Sequence, residues 1–195
     1  IDFAPSVLVA PLVGIKEFGL GATLVFRKTD LNSIGGFEAI ADYLADDYQL
    51  ARHITQHLSK RAHMSELVVE TSIGDDTWGG VWEHQVRWAR TIRVSRGGGY
   101  LGLPITHTGL WIFLALLSGA WSLALTLTIC RWMTAFVSGV FVLRSPIARR
   151  AFWLAPIWDL WAFFVWIAGL SGSTVIWRDG VLTLTRDGKL LRQVP

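Results

Sequence analysis

Residues 105–143 form an almost unbroken apolar run, which as one helix would be about 58 Å long at 1.5 Å per residue. A bilayer core is only about 30 Å thick. The run must therefore fold back, and Ser118-Gly119 is where its apolar pattern allows a turn. That gives two spans, and Phe152 to Leu170 gives a third. Arg144, Arg149 and Arg150 lie between the second and third spans, so the positive-inside rule sets that loop on the cytoplasmic side. Three spans would then put the Arg-containing tail, residues 171–195, outside; the same rule disfavours this, so the tail's side stays open. Arg131 falls near the middle of the second span and Asp159 within the third. Ionisable groups at that depth pair or serve function. The two are expected to pair, the alternative being an Asp159 that reaches water at a cavity or interface.

The rest of the chain is of another kind. Overall it is 52% hydrophobic with eleven Trp, yet residues 1–100 hold most of the charge and four of the five His. A polar or interfacial part is followed by a membrane part. The net charge is +3, but the Arg residues adjoin Trp and apolar runs. Arg87, Arg90, Arg93 and Arg96 precede the first span and read as membrane-flanking cations facing anionic lipid. No nucleic-acid reader motif is present. The single cysteine, Cys130, lies in an apolar run and reads as a small hydrophobe.

Within residues 1–100 the pattern alternates. Residues 3–15 are apolar but broken by Pro5, Pro11 and Gly14, too short for a span. Gly19 to Arg27 reads as a glycine-flanked strand. Thr29-Asp30 opens a short helix that Gly35-Gly36 ends. Asp46 or Asp47 caps the next helix, whose Leu50, Ile54 and Leu58 form one apolar face. Leu67-Val68-Val69 is a short strand candidate. Asp75-Asp76 precede a helix from Thr77 to Arg96, with Trp78, Val81, Trp82, Gln85, Trp88 and Ile92 on one side and Arg87, Arg90 and Arg93 on another. Such a helix suits the membrane interface. Gly97-Gly98-Gly99 ends it and marks the boundary with the membrane part. In the tail, Val181 to Thr185, flanked by Asp179-Gly180 and Asp187-Gly188, reads as a small hairpin.

Two clusters carry possible chemistry. The first is Asp46-Asp47. A carboxylate at a helix N-terminus beside a glycine-lined strand has the means to deprotonate a hydroxyl, and equally serves as an ordinary first-turn acid. The second is His84-Gln85-Val86-Arg87-Trp88. A guanidinium grips diphosphate oxygens bidentately and Trp88 offers a stacking face; the same residues would also merely anchor an interfacial helix. His53 and His57 have a zinc-binding spacing but lack the acid of a metalloprotease motif, so no metal site is assigned.

The two clusters in this order, ahead of a membrane bundle, resemble glycosyltransferase family 2 and its ceramide glucosyltransferase branch, family 21. Gly21-Ala22-Thr23-Leu24-Val25-Phe26-Arg27-Lys28 resembles that family's strand ending in basic residues. Ile34-Gly35-Gly36-Phe37 resembles its glycine pair, Ala45-Asp46-Asp47-Tyr48 its acidic element, and Val175-Ile176-Trp177-Arg178-Asp179-Gly180 its C-terminal Trp-Arg turn. His84 stands where Gln or Arg is expected. In that respect the segment looks more like the bacterial hopanoid-biosynthesis members, with N-acetylglucosamine as donor sugar and a hopanoid polyol as acceptor.

The resemblance implies an α/β fold, the C-terminal half of a GT-A domain over residues 1–76. The interfacial helix (77–100), about three membrane helices (101–170) and a tail (171–195) follow. It implies an inverting hexosyltransferase of a bacterial inner membrane, with its catalytic part cytoplasmic. Its partners would be a nucleotide-sugar donor (UDP-glucose or UDP-N-acetylglucosamine), a membrane lipid acceptor of ceramide or hopanoid type and the bilayer, with no nucleic acid. Asp47 would be the catalytic base, with Asp46, Gly21, Ala22, His84, Arg87 and Trp88 binding substrate. A divalent cation, Mg or Mn, would be held by an Asp-x-Asp. None occurs here and the chain opens at Ile1, so the expectation is a C-terminal portion without the donor-binding half, inactive in isolation. The alternative is a non-catalytic membrane scaffold or binding module of the same architecture.

Overall fold

The computed structural model describes residues 4–9, 12, 14, 19, 23–63, 67–69, 77–96, 98–177, 180–185 and 187–192. In chain order the helices are α1 (Ala4–Val9), α2 (Lys28–Ser33), α3 (Asp46–His57), α4 (Trp78–Arg96), α5 (Gly98–Leu101), α6 (Thr108–Leu117), α7 (Trp121–Phe136), α8 (Pro146–Ala151) and α9 (Ala155–Leu170). The strands are β1 (Thr174–Trp177), β2 (Gly180–Leu184) and β3 (Leu190–Arg192). The protein is thus mostly helical, with one small sheet. Two compact units divide it: Ile1–Val13 with Gly98–Leu170, and Gly14–Gly97 with Ser171–Pro195.

In the first unit α7 runs on through a π-helical stretch, Val137–Val142, so that Trp121–Val142 is 22 residues long; Pro146–Leu170 is 25. Both are long and apolar enough to cross a membrane. The expected first span is instead a pair of short helical segments, Gly98–Thr106 and Thr108–Leu117, bent by 58°. Pro104 lies in the 3-10 turn Leu103–Thr106, and this segment counts as a span only if the bent pair is taken as one. The turn between α6 and α7 falls where the sequence set it, with Gly119 at φ +74°, a conformation that favours glycine.

Much of the packing in this unit is by small residues. Gly109, Ala115, Ala124, Ala135, Ala148 and Ala155 are buried, while Leu117, Trp121, Leu125, Met133, Phe141 and Ile157 are exposed. A Cβ on Gly109 would overlap the Pro156 carbonyl, so α6 and α9 touch backbone to backbone there. Inside lies the expected ion pair. Arg131 Nε and NH2 each donate at 2.8 Å, to Asp159 Oδ2 and Oδ1 respectively. The Gly109 N–H donates to Asp159 Oδ2 at 3.0 Å. Asp159 therefore ties three helices. Tyr100, 1% exposed, stacks on Trp166; its hydroxyl donates to the Trp166 carbonyl, and the Trp166 indole donates back to the Tyr100 carbonyl.

The second unit packs in the usual sense. Leu31, Ile40 and Leu50 form its buried core, flanked by Leu24, Phe26, Ile34 and Ile54. α3 uses the apolar face read from the sequence. Residues 23–27 alternate exposed and half-buried as a strand would, but form no strand; neither do residues 67–69. A strand is made by a partner that pairs its N–H and C=O groups, and period-2 alternation alone does not supply one. The sheet that forms is the C-terminal antiparallel meander β1-β2-β3. Trp177 opposite Gly180 closes the first hairpin. Thr185 and Lys189 exchange backbone and hydroxyl hydrogen bonds across the second. Val175 and Leu184 are its buried side chains.

Candidate functional site

Ala45, not an aspartate, is the N-cap of α3, and both Asp46 and Asp47 sit in its first turn. Asp46 Oδ1 accepts from the Asp47 N–H at 2.8 Å and Asp47 Oδ1 from the Tyr48 N–H at 2.7 Å. The N–H groups that a capping side chain would take are thus met by acids of the first turn itself. Asp46 is exposed; Asp47 is half-buried. Burial pushes the Asp47 carboxyl above its ordinary value, the Tyr48 hydrogen bond opposes this, and the Asp46 charge adds to the rise. Gly19 lies against this turn: a Cβ there would be 2.6 Å from the Asp47 carbonyl oxygen and 2.8 Å from Ala51 Cβ. The glycine next to the acid is therefore required by close approach. Gly21 and Ala22, also expected to bind substrate, lie outside the described residues, as do Asp75 and Asp76.

α4 carries the second cluster. Thr77 caps it, its hydroxyl accepting from the Gly80 N–H. His84, Arg87 and Trp88 occupy adjacent turns on one side, as spacings of three and four require. Arg87 NH2 donates to His84 Nδ1 at 3.1 Å, and the His84 and Trp88 rings lie 5.2 Å apart. A guanidinium only donates, so Nδ1 accepts and the imidazole proton sits on Nε2. Burial, then the Arg87 charge, holds the His84 pKa below its ordinary value, keeping it neutral as that hydrogen bond needs. Burial also lowers the Arg87 pKa. Trp88 is 51% exposed and offers its ring outward.

α4 buries part of one face. Val86 and Ala89 are its buried residues, while Trp78 and Trp88 are exposed. Arg90 and Arg93 were expected to face lipid; they donate instead to backbone carbonyls, Arg90 to Ser171 and Thr174 and Arg93 to Gly172. A carbonyl cluster at a distant turn leaves no mark in local periodicity, so neither contact could be read from α4 alone. The contacts that define each candidate cluster are internal to its own helix, the acids on α3 and the His-Arg-Trp group on α4.

His53 and His57 stack edge to face with centroids 5.5 Å apart. Among the described residues no three His, Cys, Asp or Glu side chains gather as a metal set.

The described residues thus place an exposed aromatic and a partly buried guanidinium on one helix, a desolvated carboxylate on another, and two helices long and apolar enough to cross a membrane beside them in the chain. The chain belongs to glycosyl transferase family 21, whose family model matches residues 1–190. No curated protein matches it, and no solved structure does.

Proposed function

We propose that this chain serves a membrane glycosyltransferase that moves a sugar, with inversion, from UDP-glucose or UDP-N-acetylglucosamine to the hydroxyl of a ceramide- or hopanoid-type lipid. Asp47 takes the proton of the acceptor hydroxyl, whose oxygen then attacks the anomeric carbon as the nucleoside diphosphate departs. Arg87 meets the charge that develops on the diphosphate. Trp88 offers a stacking face to sugar or lipid, His84 orients Arg87, and Asp46 borders the acceptor. A divalent cation, Mg or Mn, would accompany the donor diphosphate, and no step is assigned to it. The helices long and apolar enough to cross a membrane suit an acceptor that never leaves the bilayer, and the catalytic part is assigned to the cytoplasmic side.

The observation that carries this reading is the Asp47 carboxyl. It is half-buried, accepts from the Tyr48 N–H, and is shifted upward by burial, the direction that strengthens a carboxylate as a base. The test is transfer of radiolabelled sugar from each UDP-sugar to total lipid extract by membranes holding the natural full-length protein, wild type beside Asp47→Asn. Loss of a general base should slow transfer by about a hundredfold or more. Labelled lipid lost in the variant supports Asp47 as base and names the sugar. Transfer at the wild-type rate by Asp47→Asn removes the assignment, and no transfer from either donor by wild type favours a scaffold.

A further inference from the structure

The C-terminal sheet reaches both helices that carry the candidate site, and the proposed chemistry makes no use of it. On one side it meets the approach to α3. Tyr43 and Lys189 form an antiparallel bridge. The Leu44 N–H donates to the Gly188 carbonyl at 3.1 Å, and the Leu190 N–H to the Asp42 carbonyl at 2.7 Å. Asp46 opens α3 two residues after Leu44.

On the other side lies α4. The Arg90 guanidinium spans the carbonyls of Ser171, at 3.1 Å, and Thr174, at 2.7 Å. Arg93 donates to Gly172 at 2.7 Å. Gly172 has φ +80°, and a Cβ there would lie 2.6 Å from Arg90 NH2, so the turn is shaped around the guanidinium. Gly188 sits between the two sides: a Cβ on it would lie 3.7 Å from Val94 of α4 and 3.9 Å from Tyr43.

Helix geometry turns these contacts into a constraint on the site. Arg87, Arg90 and Val94 are spaced by three and then four, so they share one face of α4. Holding Arg90 and Val94 fixes the rotation and height of the helix, and with them the direction of Arg87 and Trp88. The hold is made of charge-assisted bonds to main-chain oxygens, with one planar fork bridging two carbonyls. A lysine at 90 keeps the charge but cannot reproduce that fork.

We propose that Arg90 is a positioning residue for sugar transfer, and that the sheet with its leading turn, Ser171–Thr174, braces α4 and the α3 approach so that Arg87 meets the leaving diphosphate. The proposal rests on the role given to Arg87 above. Displacement of a catalytic group by about 1 Å costs up to a hundredfold in rate. In membranes holding the natural full-length protein, normalised to folded protein, Arg90→Lys should therefore lower kcat by about ten- to a hundredfold while leaving the donor KM within about twofold. Gly172→Ala, which displaces the same guanidinium, should give the same split. Because Arg90 acts through Arg87, the double variant Arg87→Lys/Arg90→Lys should be no slower than Arg87→Lys alone.

Losses that multiply, a loss confined to KM, or wild-type kcat in Arg90→Lys would overturn the proposal. Asp47→Asn at the wild-type rate would instead remove the reading beneath it. The brace has a readout independent of turnover. Partners in an antiparallel bridge lie within disulfide reach, so Tyr43→Cys/Lys189→Cys, with other cysteines replaced, should cross-link on mild oxidation. Absence of that cross-link overturns the brace.

Discussion

The two units differ in what they bury. In Gly14–Gly97 with Ser171–Pro195 the core is Leu31, Ile40 and Leu50, large side chains withdrawn from water. In Ile1–Val13 with Gly98–Leu170 most described buried positions go to glycine, alanine, serine and an Arg-Asp pair, with Val7, Tyr100, Ile112 and Val165 beside them, and many large apolar side chains face out. The first pattern follows from the hydrophobic effect. The second is expected where the surroundings are themselves hydrocarbon: withdrawing Leu from lipid gains nothing, so helices associate through close backbone approach and polar contacts. Mean apolarity would not reveal this difference; the identity of what is buried does.

The largest expected effect that would break the comparison concerns the ion pair. Arg131→Met or Asp159→Leu alone leaves a buried charge without its partner, at a cost of about 3–5 kcal/mol, while the double change to apolar residues is near neutral or stabilising. Unfolding of the detergent-solubilised protein reads both. Equal damage by the single and double variants would give the pair a role beyond charge compensation.

Next comes the outer surface. Ile129 is exposed in the first unit and Val25 is 95% exposed in the second. Ile129→Arg should cost about 2.5–3.5 kcal/mol near a span centre, measured as reduced insertion in a glycosylation-tagged reporter. Val25→Arg should stay within about 0.5 kcal/mol. Similar costs at the two positions would mean that both surfaces meet the same solvent.

The smallest effect sharpens the site. A base works ionised, so kcat should fall as pH drops through the Asp47 pKa, and burial raises that pKa from its ordinary value. Asp46→Asn removes a like charge that adds to the rise. The acid limb of the kcat–pH profile should therefore move to lower pH. A limb that stays in place would separate Asp47 from the rate-limiting proton transfer.

Much of the apolar unit was legible in the sequence. The reversal at Gly119, the end of the last helix at Leu170 and the Arg131–Asp159 pair all follow from run length, a turn glycine and the cost of an isolated charge in lipid. Leu50 and Ile54 announced the buried face of α3 by spacing. The described parts of the strands read at 19–27 and 67–69 form no strand. In each case the local pattern was sound but the partner that gives it meaning lay elsewhere in the chain.

The sequence by itself determined where α3, α4, α7 and α9 run, which acids open α3 and which residues share a face with Arg87, because helical period, chain length against bilayer thickness and backbone rules act within a few residues. Only the tertiary structure decided that Gly109 admits the α9 backbone, that Gly19 lies on the Asp47 turn, and that Arg90 and Arg93 hold the carbonyls of Ser171, Gly172 and Thr174 rather than lipid. Those contacts join residues about fifty to eighty positions apart or depend on a missing Cβ. A backbone carbonyl is the same in every residue, so no side-chain pattern can announce which one a guanidinium will find.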